Sequence, residues 1–165
     1  MTNLPGWLEK MDGNVEGVEC FLVKILLTFQ VIIIFLEIIF RYLFNSSLIW
    51  SEELARYLLV WIAMLGCSIG LKRKGHFGID LLVQAFPRTL RNVCVTLTYT
   101  VMFLFLGTMT VVGVMMVVQA REVSTVMQLS MSYPYAAIPL GGALMLFHLI
   151  VIARKKGLKD FLAPG

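Results

Sequence analysis

The sequence predicts an all-α integral membrane protein of four transmembrane helices, with both termini cytoplasmic and short amphipathic segments at the interface. Three observations carry that prediction. Hydrophobic residues make up 59% of the 165 and charged residues 15%, against roughly 45–50% apolar in an ordinary soluble domain. Mean hydropathy is +0.85, which means more apolar surface than a core of this size can hide from water. The apolar residues also gather into four blocks, each close to the ~20 residues that cross a hydrocarbon core.

The first span covers about 21–40 and is broken only by Lys24, Gln30 and Glu37. The second, about 54–71, holds Arg56 near its start. The third, about 93–118, carries no charge and is longer than one crossing needs, so it tilts or extends past the bilayer. The fourth, about 135–153, has Pro139 and Gly141-Gly142 near its beginning, where the proline opens or kinks the helix. Strands are excluded because barrel segments alternate in polarity and these blocks do not. Met1 to Glu19 is acidic and lacks the basic start and apolar core of a secretory signal, so it is expected to remain as a short polar lead-in. With no internal repeat and no linker, residues 1–165 form a single membrane domain.

Orientation follows from the cations. Of the 14 Lys and Arg residues, only Arg41, Arg56 and Arg121 fall on one side of a four-helix topology. The remainder, including the Lys72-Arg73-Lys74 and Arg154-Lys155-Lys156 runs, share the other. The positive-inside rule puts that side, with both termini, in the cytoplasm. The net charge of +4 is thus explained by topology, and nucleic acid is not expected as a partner. Between Phe77 and Phe86 the connecting loop is amphipathic enough to lie along the inner headgroups.

Redox and metal chemistry find no support. Cys20, Cys67 and Cys94 are scattered and form no paired motif. His148 lies in the fourth span and His76 in a loop, which is not the facing arrangement haem requires. His148 is better read as making an interhelical hydrogen bond or lying near the cytoplasmic headgroups. No cofactor, metal or catalytic residue is expected, and the chain is not an enzyme.

Two groups of charges remain. Glu37 and Arg41 share a helix face at i, i+4. Glu37 reads either as the partner of Arg41 or as the coupling carboxylate of a small exporter. At the start of the second span stand Trp50, Ser51, Glu52, Glu53 and Arg56. Ser51 suits an N-cap, and the two glutamates suit the positive end of the helix dipole. Arg56 is within reach of both, and Trp50 suits the interface. Adjacent carboxylates on a helix diverge by about 100°, so a general acid–base pair is a poor reading and a charged rim a better one. Gly66 and Gly70 have the spacing that lets a second helix approach, and Pro139 and Gly141 add a further packing surface.

The stretches "FRYLFNSSLIWSEELARYLLVWIAMLG", "LKRKGHFGIDLL" and "YPYAAIPLGGAL" occur in an order that resembles the small membrane subunit, the DctQ type, of tripartite ATP-independent periplasmic (TRAP) transporters. The resemblance implies a non-catalytic subunit of the bacterial inner membrane that scaffolds a large transporting subunit. It implies a sodium-coupled, binding-protein-dependent uptake system for an organic acid, of sialic-acid or C4-dicarboxylate type. Partners would be the large subunit, a periplasmic substrate-binding protein and membrane lipids. Arg41, Trp50, Ser51, Glu52, Glu53 and Arg56 would then form a periplasmic contact rim, and Gly75, His76 and Asp80 a cytoplasmic motif. An autonomous proton-coupled exporter working through Glu37 is the alternative; it fits the helix count but explains neither the rim nor the His76 loop.

Overall fold

The computed structural model describes residues 6–74 and 88–155. Helix α1 spans Gly6–Leu43 and α2 spans Ile49–Lys74. Helix α3 spans Arg88–Gln119, a short α4 covers Ser132–Tyr135, and α5 runs Ala137–Lys155. Among the described residues four stretches are long and apolar enough to cross a membrane: Gly6–Leu43, Ile49–Arg73, Thr96–Gln119 and Ser132–Arg154. Among the described residues there is no strand, only an isolated bridge between Val123 and Ser130. The Gly75, His76 and Asp80 motif and the amphipathic loop expected at Phe77–Phe86 lie outside the described residues.

With 38 residues, α1 is about 57 Å long, far more than the ~30 Å of a hydrocarbon core. The polar lead-in is therefore helical from Gly6 onward, continuous with the span. Glu9 in its first turn and Arg41 in its last complement the helix dipole. The helix ends where Asn45 takes a left-handed φ of 49°, a conformation asparagine tolerates better than most residues. The Ser46 amide then donates back to the Phe40 carbonyl at 3.3 Å. Pro139 acts as expected near the fourth span. It has no N–H to offer the Tyr135 carbonyl, and the helix breaks at Ala136, between α4 and α5.

The helices pack as a row. Helix α3 lies on α5, α5 on α2, and α2 on α1. Helices α5 and α2 are the inner members of the row, and α5 is the more buried: 39% of its apolar window, against 6% for α1 and 11% each for α2 and α3. The apolar core sits where α3 meets α5, built on Leu106, Met145 and Leu149 with Met64 and Leu71 of α2 against it.

Glycine sets the spacing in the row. A Cβ on Gly113 would sit 2.9 Å from Pro139 Cδ, and one on Gly142 would sit 2.5 Å from Thr110 Oγ1, so α3 and α5 touch almost backbone to backbone. Gly141 brings α5 equally close to Met64 of α2, at 2.8 Å. The Gly66 and Gly70 pair, the more conspicuous motif, does not serve this packing: both positions face open space.

Gly113→Ala should therefore cost about 1–3 kcal/mol through overpacking against the rigid Pro139 ring. Gly66→Ala and Gly70→Ala should leave the isolated chain's stability unchanged. Thermal unfolding of the three variants in detergent tests the contrast.

Candidate functional site

The antiparallel order of spans gives the molecule two ends. One holds Gly6 and Lys155, here the terminal end, and the other holds the α1–α2 and α3–α4 connections, here the loop end. Each is closed by a polar cluster.

At the terminal end, Asp12, Glu16 and Glu19 recur at i, i+4 and i+7 and so share one face of α1. That face meets Ser68, Lys72 and Arg73 of α2 and His148 of α5. Lys72 Nζ lies 2.9 Å from Asp12 Oδ2 and 3.1 Å from Glu16 Oε2. Arg73 Nε donates to Glu16 Oε1 at 2.7 Å. The Ser68 hydroxyl donates to Glu19 Oε1 at 2.8 Å. His148 is wholly buried, with Nδ1 2.7 Å from Asp12 Oδ1 and Nε2 3.3 Å from Glu19 Oε2. Of the two readings of His148, the interhelical one is observed: its ring joins α5 to α1, and the same carboxylates tie in α2 through Ser68 and Lys72. Among the described residues no buried side-chain polar atom lacks a hydrogen-bond partner.

At the loop end the rim residues separate into two groups. Glu52 and Arg56 point outward and pair loosely at 3.9 Å. Trp50 is also exposed. Ser51 and Glu53 point inward and are buried. The expected N-cap role for Ser51 is corrected: α2 begins two residues earlier, at Ile49, and the Ser51 hydroxyl donates to the Leu48 carbonyl at 2.7 Å. Arg56 does not bridge both glutamates, because Glu53 is engaged elsewhere. Its Oε1 accepts from the hydroxyls of Tyr57 and Ser124, and its Oε2 accepts from the Met127 amide at 3.2 Å.

Glu53 thereby anchors the segment 120–131. That segment folds back as a tight hairpin, with Ser124 N donating to Leu129 O at 2.8 Å and Met131 N to Glu122 O at 3.0 Å. Gln128 takes the left-handed position of its turn at φ 51°. Ser132 Oγ lies 3.2 Å from Ala120 O and 3.3 Å from Val117 O, close enough to donate to the free carbonyls that end α3. The outer side of the hairpin exposes Val123 and Val126.

Glu37 and Arg41 lie near the same end on α1 and pair at 2.8 Å, with the Arg41 side chain largely exposed. Pro139 and Gly141 lie at helix contacts inside the chain, while Gly66 and Gly70 do not. Among the described residues no group of three or more His, Cys, Asp or Glu is placed to hold a metal.

Sequence reasoning overlooked the carboxylates of the lead-in and the hairpin. The first had a signal, since 12, 16 and 19 fall on one helical face. The second had none, because Glu53 and Ser124 are 71 residues apart.

These features describe a membrane protein with charged groups tied off at both ends and apolar faces between. Residues 30–156 match the family of tripartite ATP-independent periplasmic transporters, DctQ component, and the chain belongs to that family. It is therefore a multi-pass protein of the bacterial inner membrane and not an enzyme.

Over 142 residues it is 27% identical to the sialic acid TRAP transporter small permease protein SiaQ of Vibrio cholerae, covering 86% of this chain and 80% of that protein. It is 30% identical over 87 residues to the C4-dicarboxylate small permease protein DctQ of the same organism, covering 53% of this chain and 38% of that one. With the isethionate TRAP transporter permease protein DctMQ of Oleidesulfovibrio alaskensis it shares 28% over 160 residues, covering 88% of this chain but 24% of that protein. Against several of its relatives the chain thus spans less than half of their length.

Glu53→Ala should free the hairpin. Amide hydrogen exchange at Met127 is expected to rise by roughly tenfold or more, with exchange in the α3–α5 core unchanged. Ser68→Ala should cost only about 0.6 kcal/mol, the average for one interhelical hydrogen bond in a membrane, read by detergent unfolding.

Proposed function

We propose that this chain is the fixed, non-transporting partner of a large membrane subunit in a sodium-coupled, binding-protein-dependent uptake system for a small organic anion. The observation that carries the reading is the open row of helices. Three of the four spanning windows are at most 11% buried, and their apolar side chains are left for lipid or another membrane protein to cover. A row fastened at both ends by polar clusters is stiff, as a scaffold should be, and its buried ionisable groups are engaged within those clusters. The relative named as a DctMQ permease, of which the matched stretch is 24%, supports an intimate association with a larger subunit.

The asymmetry of basic residues supports a cytoplasmic terminal end and a periplasmic loop end. In that orientation Arg41, Trp50, Glu52 and Arg56, with the apolar outer side of the hairpin, form the surface on which the binding protein docks. Relatives are named for C4-dicarboxylate, sialic acid and isethionate, which supports an anionic cargo and leaves its selection to the other components.

Reconstitution tests the reading. Uptake into proteoliposomes is expected only when this chain, the large subunit and the binding protein are all present under an inward sodium gradient. Proton-driven transport by this chain alone, abolished in Glu37→Gln, would favour the exporter instead. Within the complete system, Arg41→Glu should lower uptake roughly tenfold by weakening electrostatic docking, while complex yield stays normal. Unchanged uptake would remove Arg41 from the docking surface.

A further inference from the structure

Helices α3 and α5 do not stay in contact along their whole length. Toward the loop end they meet at Gly113 against Pro139 and at Gly142 against Thr110, and midway they share the Leu106–Met145–Leu149 core. Beyond Leu149 the side chains no longer fill the space between them. An open groove of about 460 Å³ appears there, lined by Tyr99, Thr100, Phe103 and Leu104 from α3 and by Leu149, Ile150, Ala153 and Arg154 from α5.

The groove is apolar along its floor and cationic at its mouth. Phe103, Leu104 and Ile150 are exposed on its walls, at the depth of the spanning segments Thr96–Gln119 and Ser132–Arg154. Arg154 is the last residue of that second span and is exposed, and among the described residues it has no ion-pair partner. Lys155 and Lys156 follow it in sequence. The groove is also short, closing where the glycines bring α3 and α5 together. A partner helix needs a continuous trough; a short apolar groove with a cation among its lining residues suits one acyl chain beneath an anionic headgroup.

We propose that the α3–α5 groove is a binding site for an anionic glycerophospholipid, its acyl chain on Phe103, Leu104 and Leu149 and its phosphate at Arg154. Arg154 supplies the selectivity, since basic side chains at the membrane surface favour anionic over zwitterionic lipids. The apolar walls supply residence, since a bound chain covers surface that α3 and α5 leave open. The site does not depend on which solute the transporter carries, nor on which end faces the periplasm.

The test is photocrosslinking. Benzoylphenylalanine is placed at Phe103 in the full chain, produced together with its large subunit and reconstituted in phosphatidylethanolamine vesicles containing a minority of phosphatidylglycerol. Adducts are identified by mass spectrometry. Phosphatidylglycerol adducts should exceed that lipid's share of the bilayer by roughly fivefold, the factor expected for one basic residue beside an anionic headgroup. Arg154→Gln should bring the ratio back to the bulk share without lowering protein yield. The same probe at Phe105, which is 63% exposed and lies off the groove, should report the bulk share in both backgrounds. Adducts at Phe103 in bulk proportion would overturn the proposal, as would enrichment that persists in Arg154→Gln. Crosslinking of Phe103 to the large subunit instead of lipid would assign the groove to a subunit interface and overturn it equally.

Discussion

A polar side chain drawn away from water in a lipid-facing protein must find its partners within the chain, because hydrocarbon offers none. That constraint explains the arrangement of helices at the terminal end. Asp12, Glu19 and His148 are each at most 5% exposed, and any one of them left alone there would be costly. Gathered with Lys72 and Ser68, they satisfy one another. The early part of α1 is consequently held against α2 and α5 by charge and hydrogen bonding rather than by apolar contact, which its outer face scarcely makes. Glu53 plays the corresponding role at the other end, where a single carboxylate collects two hydroxyls and a backbone amide and gives the hairpin its shape.

Between these clusters the row depends on small residues and close approach. Lipid tails are as apolar as leucine, so burial of apolar side chains drives association weakly inside a bilayer, and packing has to do more. Gly113, Gly141 and Gly142 let α5 approach both of its neighbours. The same geometry leaves α1 and α3 at the outer edges, each covered on one side by the chain itself. A single row of helices with two broad faces suits a subunit whose surfaces are completed by something else.

The helical class and the presence of four apolar segments were legible in the sequence because hydropathy is a local property and four blocks are hard to mistake. The resemblance carried by the tryptophan–serine–glutamate stretch pointed to the same family that residues 30–156 match. Long-range pairing was not legible. Glu53 looked like the twin of Glu52 because both sit in one helical turn, and only the fold, by bringing Ser124 alongside, sends one inward and leaves the other outside. Ser51 had the chemistry of an N-cap, yet Leu48 and Ile49 begin the turn ahead of it and leave its hydroxyl to a nearby carbonyl. Gly66 and Gly70 had the familiar spacing yet face open space, while Gly141, also expected as a packing surface, makes contacts together with Gly113 and Gly142.

The Asp12–His148 contact joins residues 136 positions apart. A chain emerging at about 5–20 residues per second therefore exposes the acidic face of α1 on the order of ten seconds before its histidine partner is made. Lys72 and Arg73 arrive sooner and can neutralise that face in the interim, so biogenesis divides into an early α1–α2 hairpin and a late closure by α5. The last of the four spans to leave the ribosome is also the one on which both α2 and α3 pack.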